Sequence, residues 1–266
     1  MIDAGWSLGR RLGLLAGLFI MVAIVVLANG PIPQDPAYHL FADRRICLGI
    51  TNFADVTSNL GFALVGLTGI WFVLRPKATI FQTMPMDRRP YLVFFAGLAL
   101  VSIGSAYYHA APDNNRLLWD RLPMTIAFMA LSAAFVADRI DRNIGVRWLL
   151  PGLVALGMAS VIYWHWTETQ GVGDLRLYLL VQFFPMLALP VICWTFPNRR
   201  LTNGKYLFWM LLWYGAARIP EIYDRDVFAL LGQGLSGHTI KHVLSAIVGL
   251  VVMRMLAVVT SGGQLK

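Results

Sequence analysis

Tyr91–Ala111 reads YLVFFAGLALVSIGSAYYHAA, an apolar run with no acid, lysine or arginine that ends in Ser105-Ala106-Tyr107-Tyr108-His109. A helix needs roughly 20 apolar residues to cross a bilayer, so this stretch predicts a transmembrane helix. Seven further stretches have the same character, near 12–28, 56–74, 119–137, 148–166, 175–196, 205–222 and 237–258. Breaker residues fill the links, among them Arg75-Pro76-Lys77, Pro112-Asp113-Asn114-Asn115, Gly171-Val172-Gly173-Asp174 and Asn203-Gly204. With 58% hydrophobic and 14% charged residues in a chain of 266, an ordinary soluble domain is excluded. The expected fold is an all-α integral membrane protein with a seven-transmembrane-helix core preceded by one extra N-terminal transmembrane helix. Residues 1–30 form that anchor or signal-like helix, 31–54 an outer-side link, and 55–266 the seven-helix domain.

Charge sets the orientation. The formal charge is +8, but the 22 Lys and Arg residues fall in short links rather than along one basic face, which argues against a nucleic-acid partner. Arg10, Arg11, Arg75, Lys77, Arg88, Arg89, Arg139, Arg142, Arg147, Arg199, Arg200 and Lys205 occupy alternate links, so both termini are expected to be cytoplasmic. Asp35, Asp43, Asp55, Glu168, Asp174, Glu221, Asp224 and Asp226, with all five histidines, fall on the opposite, outer side. Compactness and short loops point to a bacterial inner membrane with the outer side periplasmic; in an internal eukaryotic membrane that side would be lumenal. Cys47 and Cys193 lie on opposite sides, which disfavours a disulfide. Arg10-Arg11 followed by an apolar run could also be a secretory signal; the run is long for one and cleavage near Ala28-Asn29-Gly30 weakly marked, so a retained anchor is favoured.

Ionisable groups are costly in or near hydrocarbon, and three polar segments at matching span ends therefore mark a functional site. These are Ser105–His109, Asp120-Arg121-Leu122-Pro123 and Ser236-Gly237-His238-Thr239-Ile240-Lys241-His242. His238 and His242, four apart, share one face of a helical turn as a metal pair requires. HxxxH alone is equally two interfacial histidines bonded to water or carbonyls. His109 reaches the same membrane depth and supplies a third ligand, which makes zinc the leading metal and leaves one tetrahedral position open. Ser105, one turn before His109, either approaches the metal or allows close packing beside Gly104. Asp120 is a proton acceptor, a helix-start residue favoured by the dipole, or a partner orienting a ligand histidine. His165, between Trp164 and Trp166, reads as a structural interfacial residue. Arg218, Glu221 and Asp224 read as a cluster closing the outer end of the bundle. His39 has no partner readable from sequence.

At these residues the chain resembles the alkaline ceramidase family, in the superfamily of seven-span hydrolases that includes the adiponectin-receptor-like proteins. The resemblance runs from about Asn52 to Val259. It is carried by Asn52-Phe53 with Asp55 and Ser58-Asn59, Ser105 four before His109, Asp120 within Asp-x-Leu-Pro, and His238-x-x-x-His242. It implies a zinc amidase in which His109, His238 and His242 hold the metal, Asp120 is the acid/base residue and Ser105 stabilises the oxyanion or the metal-bound oxygen. Residues 55–266 would then be a ceramidase-like hydrolase domain. The family's eukaryotic members also carry a calcium site formed by an acidic segment and a glutamate before the first core helix. Here Asn52 stands at the glutamate position and Asp43-Arg44-Arg45-Ile46-Cys47 at the acidic segment, which makes calcium doubtful.

The site lies at the depth of the bond joining an acyl chain to a lipid backbone, so a lipid could be cleaved without leaving the bilayer. The expected activity is hydrolysis of the N-acyl bond of ceramide or a related sphingoid or amino lipid to fatty acid and amine, with membrane lipid as partner. The alternatives are an ester-cleaving lipid remodeller on the same zinc site, and a lipid-binding receptor or transporter in which zinc is structural.

Overall fold

The computed structural model describes residues 6–76, 81–82 and 84–260, so Lys77, one of the basic link residues, lies outside the described part. Among the described residues no strand forms, and the chain runs as α1 (Leu8–Leu27), a 3₁₀ turn (Pro36–His39), α2 (Phe53–Thr57), α3 (Leu60–Leu74), α4 (Arg88–Ala110) and α5 (Asn114–Arg139). A π-helical turn (Ile144–Leu149) leads into α6 (Leu150–Thr169), followed by α7 (Arg176–Thr195), α8 (Gly204–Ile222), α9 (Asp224–Leu230) and α10 (Gly237–Thr260).

Seven helical segments are long and apolar enough to cross a membrane by length and composition, α1 among them, with α2 and α3 counting as one. The stretch expected at 205–222 is the 19-residue α8, which is outside that set. Its composition is more polar because Lys205, Arg218 and Glu221 interrupt it. The helix nevertheless packs along α10, inside the bundle.

Local chemistry fixes the helix ends. Asp113, preceded by Pro112, caps α5 by accepting from Arg116 N–H at 2.8 Å, and Asn203 accepts from Lys205 N–H at 2.9 Å at the start of α8. Sequence neighbours α3, α4, α5 and α6 pack in succession, α7 follows against α5 and α6, and α10 returns to α3. Lipid tails are as apolar as leucine, so close backbone approach rather than hydrophobic expulsion holds such helices together. Gly104 on α4 shows this, because a Cβ there would overlap the Trp119 carbonyl of α5.

Two buried apolar clusters divide the bundle. The larger gathers Phe62, Phe94, Phe95, Leu98, Ala130, Phe135, Val252, Met255 and Leu256 along its length. The smaller, with Phe41, Tyr108, Leu117, Val161, Trp164, Leu175 and Tyr178, lies at one end beneath residues of the 31–54 link. That link is stitched down by His39, whose Nδ1 meets Tyr108 Oη at 2.9 Å and whose Nε2 meets Asn114 Oδ1 at 3.0 Å. Glu168 accepts from Gln34 N–H at 2.6 Å and from Trp164 Nε1–H at 3.0 Å. At the other end Asp138 accepts from the N–H groups of Arg200, Leu201 and Thr202, while Arg139 donates to Thr202 Oγ1 and the Phe196 carbonyl.

By contrast, α1 contributes no buried residue and lies along α7. Phe19 meets Phe184 edge-on at 5.3 Å, and Arg176 Nη1 donates to the carbonyls of Leu27 and Asn29. Cys47 and Cys193 are both free, as their placement at opposite ends requires.

Candidate metal centre and adjoining cavity

Three helix ends bring the site together: the last turn of α4, the first turns of α5 and the start of α10. His109, His238 and His242 are 1%, 3% and 2% exposed, and each offers a ring nitrogen within 4.8 Å of the others. His109 Nε2 and His238 Nε2 are 3.2 Å apart. A tetrahedron with zinc–nitrogen bonds of about 2.0–2.1 Å has an edge close to that separation, so the donor set suits a zinc-sized ion.

Neighbouring groups orient the rings. Ser58 Oγ donates to the Asp55 carbonyl at 3.0 Å and lies 2.8 Å from His242 Nδ1. With its one proton directed to the carbonyl, the hydroxyl accepts from Nδ1–H, which leaves the lone pair of His242 on Nε2. The geometry is possible because α2 and α3 are broken at Ser58-Asn59, where Asn59 Nδ2 also donates to the Asp55 carbonyl at 2.8 Å. Phe41, from the link, covers the cluster with ring centroids 4.6 Å from His109 and 4.5 Å from His238. Among the described contacts His109 Nδ1 is buried without a hydrogen-bond partner.

The start of α10 is fixed by two carboxylates, the favourable charge for a helix N-terminus. Asp224 Oδ1 accepts from His238 N–H at 2.8 Å, and its Oδ2 from Ala42 N–H at 2.8 Å. Asp55 Oδ1 accepts from Ser236 Oγ at 2.7 Å and Thr239 Oγ1 at 2.6 Å, while Ser236 Oγ receives Thr239 N–H. Gly237 is required between them, since a Cβ would overlap the Pro220 carbonyl.

Asp120 is 6% exposed in α5, and the Ser105 hydroxyl on α4 faces its carboxylate. Gly104 allows the two helices to approach this closely. Ser105, Asp120, Lys241 and His242 line one end of a 290 Å³ cavity whose other walls include Phe94, Leu98, Val101, Phe128, Leu131 and Val248.

Lys241 had no role on sequence grounds. Its Nζ is 3.1 Å from Glu221 Oε1 and 3.5 Å from His238 Nε2, and Glu221 also pairs with Arg218. The Arg218–Glu221 pair therefore does more than close the bundle end, because it holds a cation beside a candidate ligand. The signal was present in a lysine inside an apolar span, but its place between two histidines masked it.

The remaining candidates are not among the clustered ligand groups. His165 Nε2 meets Asn115 Oδ1 at 3.0 Å in a partly exposed position, a structural contact. Asn52 Nδ2 donates to the His109 carbonyl at 2.7 Å, and both carboxylate oxygens of Asp43 are engaged by Arg45. The groups at the doubtful calcium position thus have partners within the chain.

No curated protein matches the chain. Residues 45–265, most of its length, match the family described as Ceramidase. That span includes Ser58, Ser105, His109, Asp120, His238 and His242, the residues that the fold brings to one end of the bundle. The chain belongs to the ceramidase family.

Proposed function

We propose that this protein is a zinc-dependent intramembrane amidase that cleaves the N-acyl bond of ceramide or a related sphingoid or amino lipid. Family membership supports an amide-bond hydrolase acting on a ceramide-like lipid, and three buried histidines could hold a metal ion. The observation that carries the reading is the cavity, which joins Ser105, Asp120 and His242 at one end to an apolar channel at the other. An amide carbonyl at the polar end would leave its acyl chain among Phe94, Leu98 and Leu131. The 290 Å³ volume is near the lower end of the roughly 300–1,000 Å³ of small-ligand sites.

His109, His238 and His242 would hold the metal, which when bound would polarise a carbonyl and lower the pKa of water toward about 7. The chain's own groups then handle protons and position. Asp120 Oδ accepts a proton from the water that adds to the carbonyl carbon. As the carbon–nitrogen bond breaks, the same carboxyl returns that proton to the amine nitrogen, which leaves neutral while the acyl part leaves as fatty acid. Ser105 Oγ, facing Asp120, donates toward the oxygen that gains charge in the tetrahedral stage. Apolar walls exclude bulk water and strengthen both interactions.

Asp120→Asn separates this reading from a lipid receptor with structural zinc. The variant should keep its metal content and thermal stability while turnover falls by about 10²- to 10⁴-fold. Retained turnover in a metal-loaded variant would remove Asp120 from the chemistry. The ester-cleaving alternative is tested by offering N-acyl and O-acyl lipids of one chain length, where amidase activity requires release from the N-acyl compound.

A further inference from the structure

Arg121 follows Asp120 and is only 5% exposed. Its guanidinium lies over the rings of Trp164, Tyr178 and Tyr38 at 4.3, 4.7 and 5.6 Å. Aromatic rings engage the flat face of a guanidinium and leave its N–H edges to choose partners. One edge is taken, with Nη2 donating to Gln34 Oε1 at 2.6 Å. The other is open, because Nη1 is buried with no hydrogen-bond partner. Among the described residues no carboxylate forms an ion pair with Arg121, although Lys241 and Arg218 share Glu221.

A buried charge with no ion pair and an unpartnered N–H group is costly, and in a membrane-spanning segment it marks a functional position. Arg121, Gln34, Tyr38 and Tyr178 line the same cavity as Ser105 and Asp120. They come from the 31–54 link and the first turns of α5 and α7, at the end of the bundle where α4 finishes and α10 begins. The deeper walls are apolar and suit an acyl chain, so an anion at Arg121 belongs to the other part of a substrate. A guanidinium fork matches the paired oxygens of a carboxylate or a phosphate.

We infer that Arg121 forms a headgroup subsite and that the preferred substrate is an N-acyl lipid with an anionic group on the amine side of the cleaved bond. This deepens the amidase reading and rests on it. The test uses the full chain in detergent micelles with three amides of one acyl length: neutral ceramide, ceramide phosphorylated on its primary hydroxyl, and an N-acyl amino acid bearing a free carboxylate. Wild type should cleave at least one anionic amide with kcat/KM about tenfold or more above ceramide, and the favoured anion identifies phosphate or carboxylate. Arg121→Gln should erase that advantage mainly through KM, and Arg121→Lys should restore part of it. Ceramide cleaved as well as both anionic amides, or a loss in Arg121→Gln equal for all three, would overturn the subsite and leave the amidase standing. If none is cleaved, the amidase reading fails on its own, and equilibrium binding of the same lipids decides the subsite. Wild type must then bind an anionic lipid more tightly than ceramide, and equal binding overturns the subsite.

Discussion

Ser58 donates its one proton to the Asp55 carbonyl and therefore accepts from His242 Nδ1 at 2.8 Å, which directs the other ring nitrogen toward the histidine cluster. Partners of this kind commonly account for 10- to 100-fold in metal affinity, so Ser58→Ala should weaken zinc retention by about that factor. Competition with a coloured chelator measures it, and Ser58→Thr should recover part of the loss. Equal zinc retention in Ser58→Ala and wild type would show that His242 needs no such orientation. That the three histidines, Ser105 and Asp120 gather at one end of the bundle was legible in the sequence, because span ends at one depth leave few ways to place them. Lys241 and Arg121 lie in the same segments, but their roles do not follow from the sequence. Their meaning depends on which carboxylates face them, and Glu221 meets Lys241 only after α8 packs along α10.

Among the elements, α4 and α5 make the closest approach that bears on the site. Any side chain at position 104 would meet the Trp119 carbonyl, so Gly104→Ala must separate the helices that carry Ser105 and Asp120. Overpacking of this kind costs about 1–3 kcal/mol, which should lower the midpoint of thermal unfolding and depress turnover together. An unchanged midpoint with wild-type turnover would contradict this account of the α4–α5 contact. The 31–54 link should loosen in acid. Burial opposes ionisation of Asp43, but hydrogen bonds from the Arg45 side chain and backbone outweigh it and hold the carboxyl below its ordinary value. At the turn before α7 the Arg176 side chain, against the opposing effect of burial, holds the Asp174 carboxyl low in the same way. A lowered folded-state pKa gives stability that is complete above the unfolded carboxylate value of about 3.9 and is lost as pH falls through the folded value. Hydrogen-exchange protection across residues 41–50, taken relative to the intrinsic rate at each pH, should therefore hold from pH 7 to about 5 and fall only below about 4. Loosening already near pH 6 would assign the link's stability to other groups. Span positions were legible from apolar length alone, with α4, expected at 91–111, running Arg88–Ala110. The break between α2 and α3 was not, because Ser58-Asn59 lies inside an apolar run with no proline or glycine at those two positions, and side-chain bonds to the Asp55 carbonyl accompany the turn.

Across the whole molecule, the two ends of the bundle differ in kind. One end is closed by Asp138, Arg139 and the backbone of Arg200, Leu201 and Thr202, which are not among the residues lining the cavity beside the histidines. The other gathers the histidines, Asp120, Ser105 and the link above them, and opens into the apolar cavity. Metal and acyl chain meet at that end in the proposed reaction, so the central claim is that one histidine cluster governs both zinc content and amide cleavage. The direct measurement is hydrolysis of a fluorescent ceramide by detergent-purified protein beside His238→Ala, with total zinc quantified in both. The account predicts zinc and fatty-acid release in wild type, and loss of both in His238→Ala with the helical content preserved. Fatty-acid release that persists in a variant emptied of zinc would contradict it.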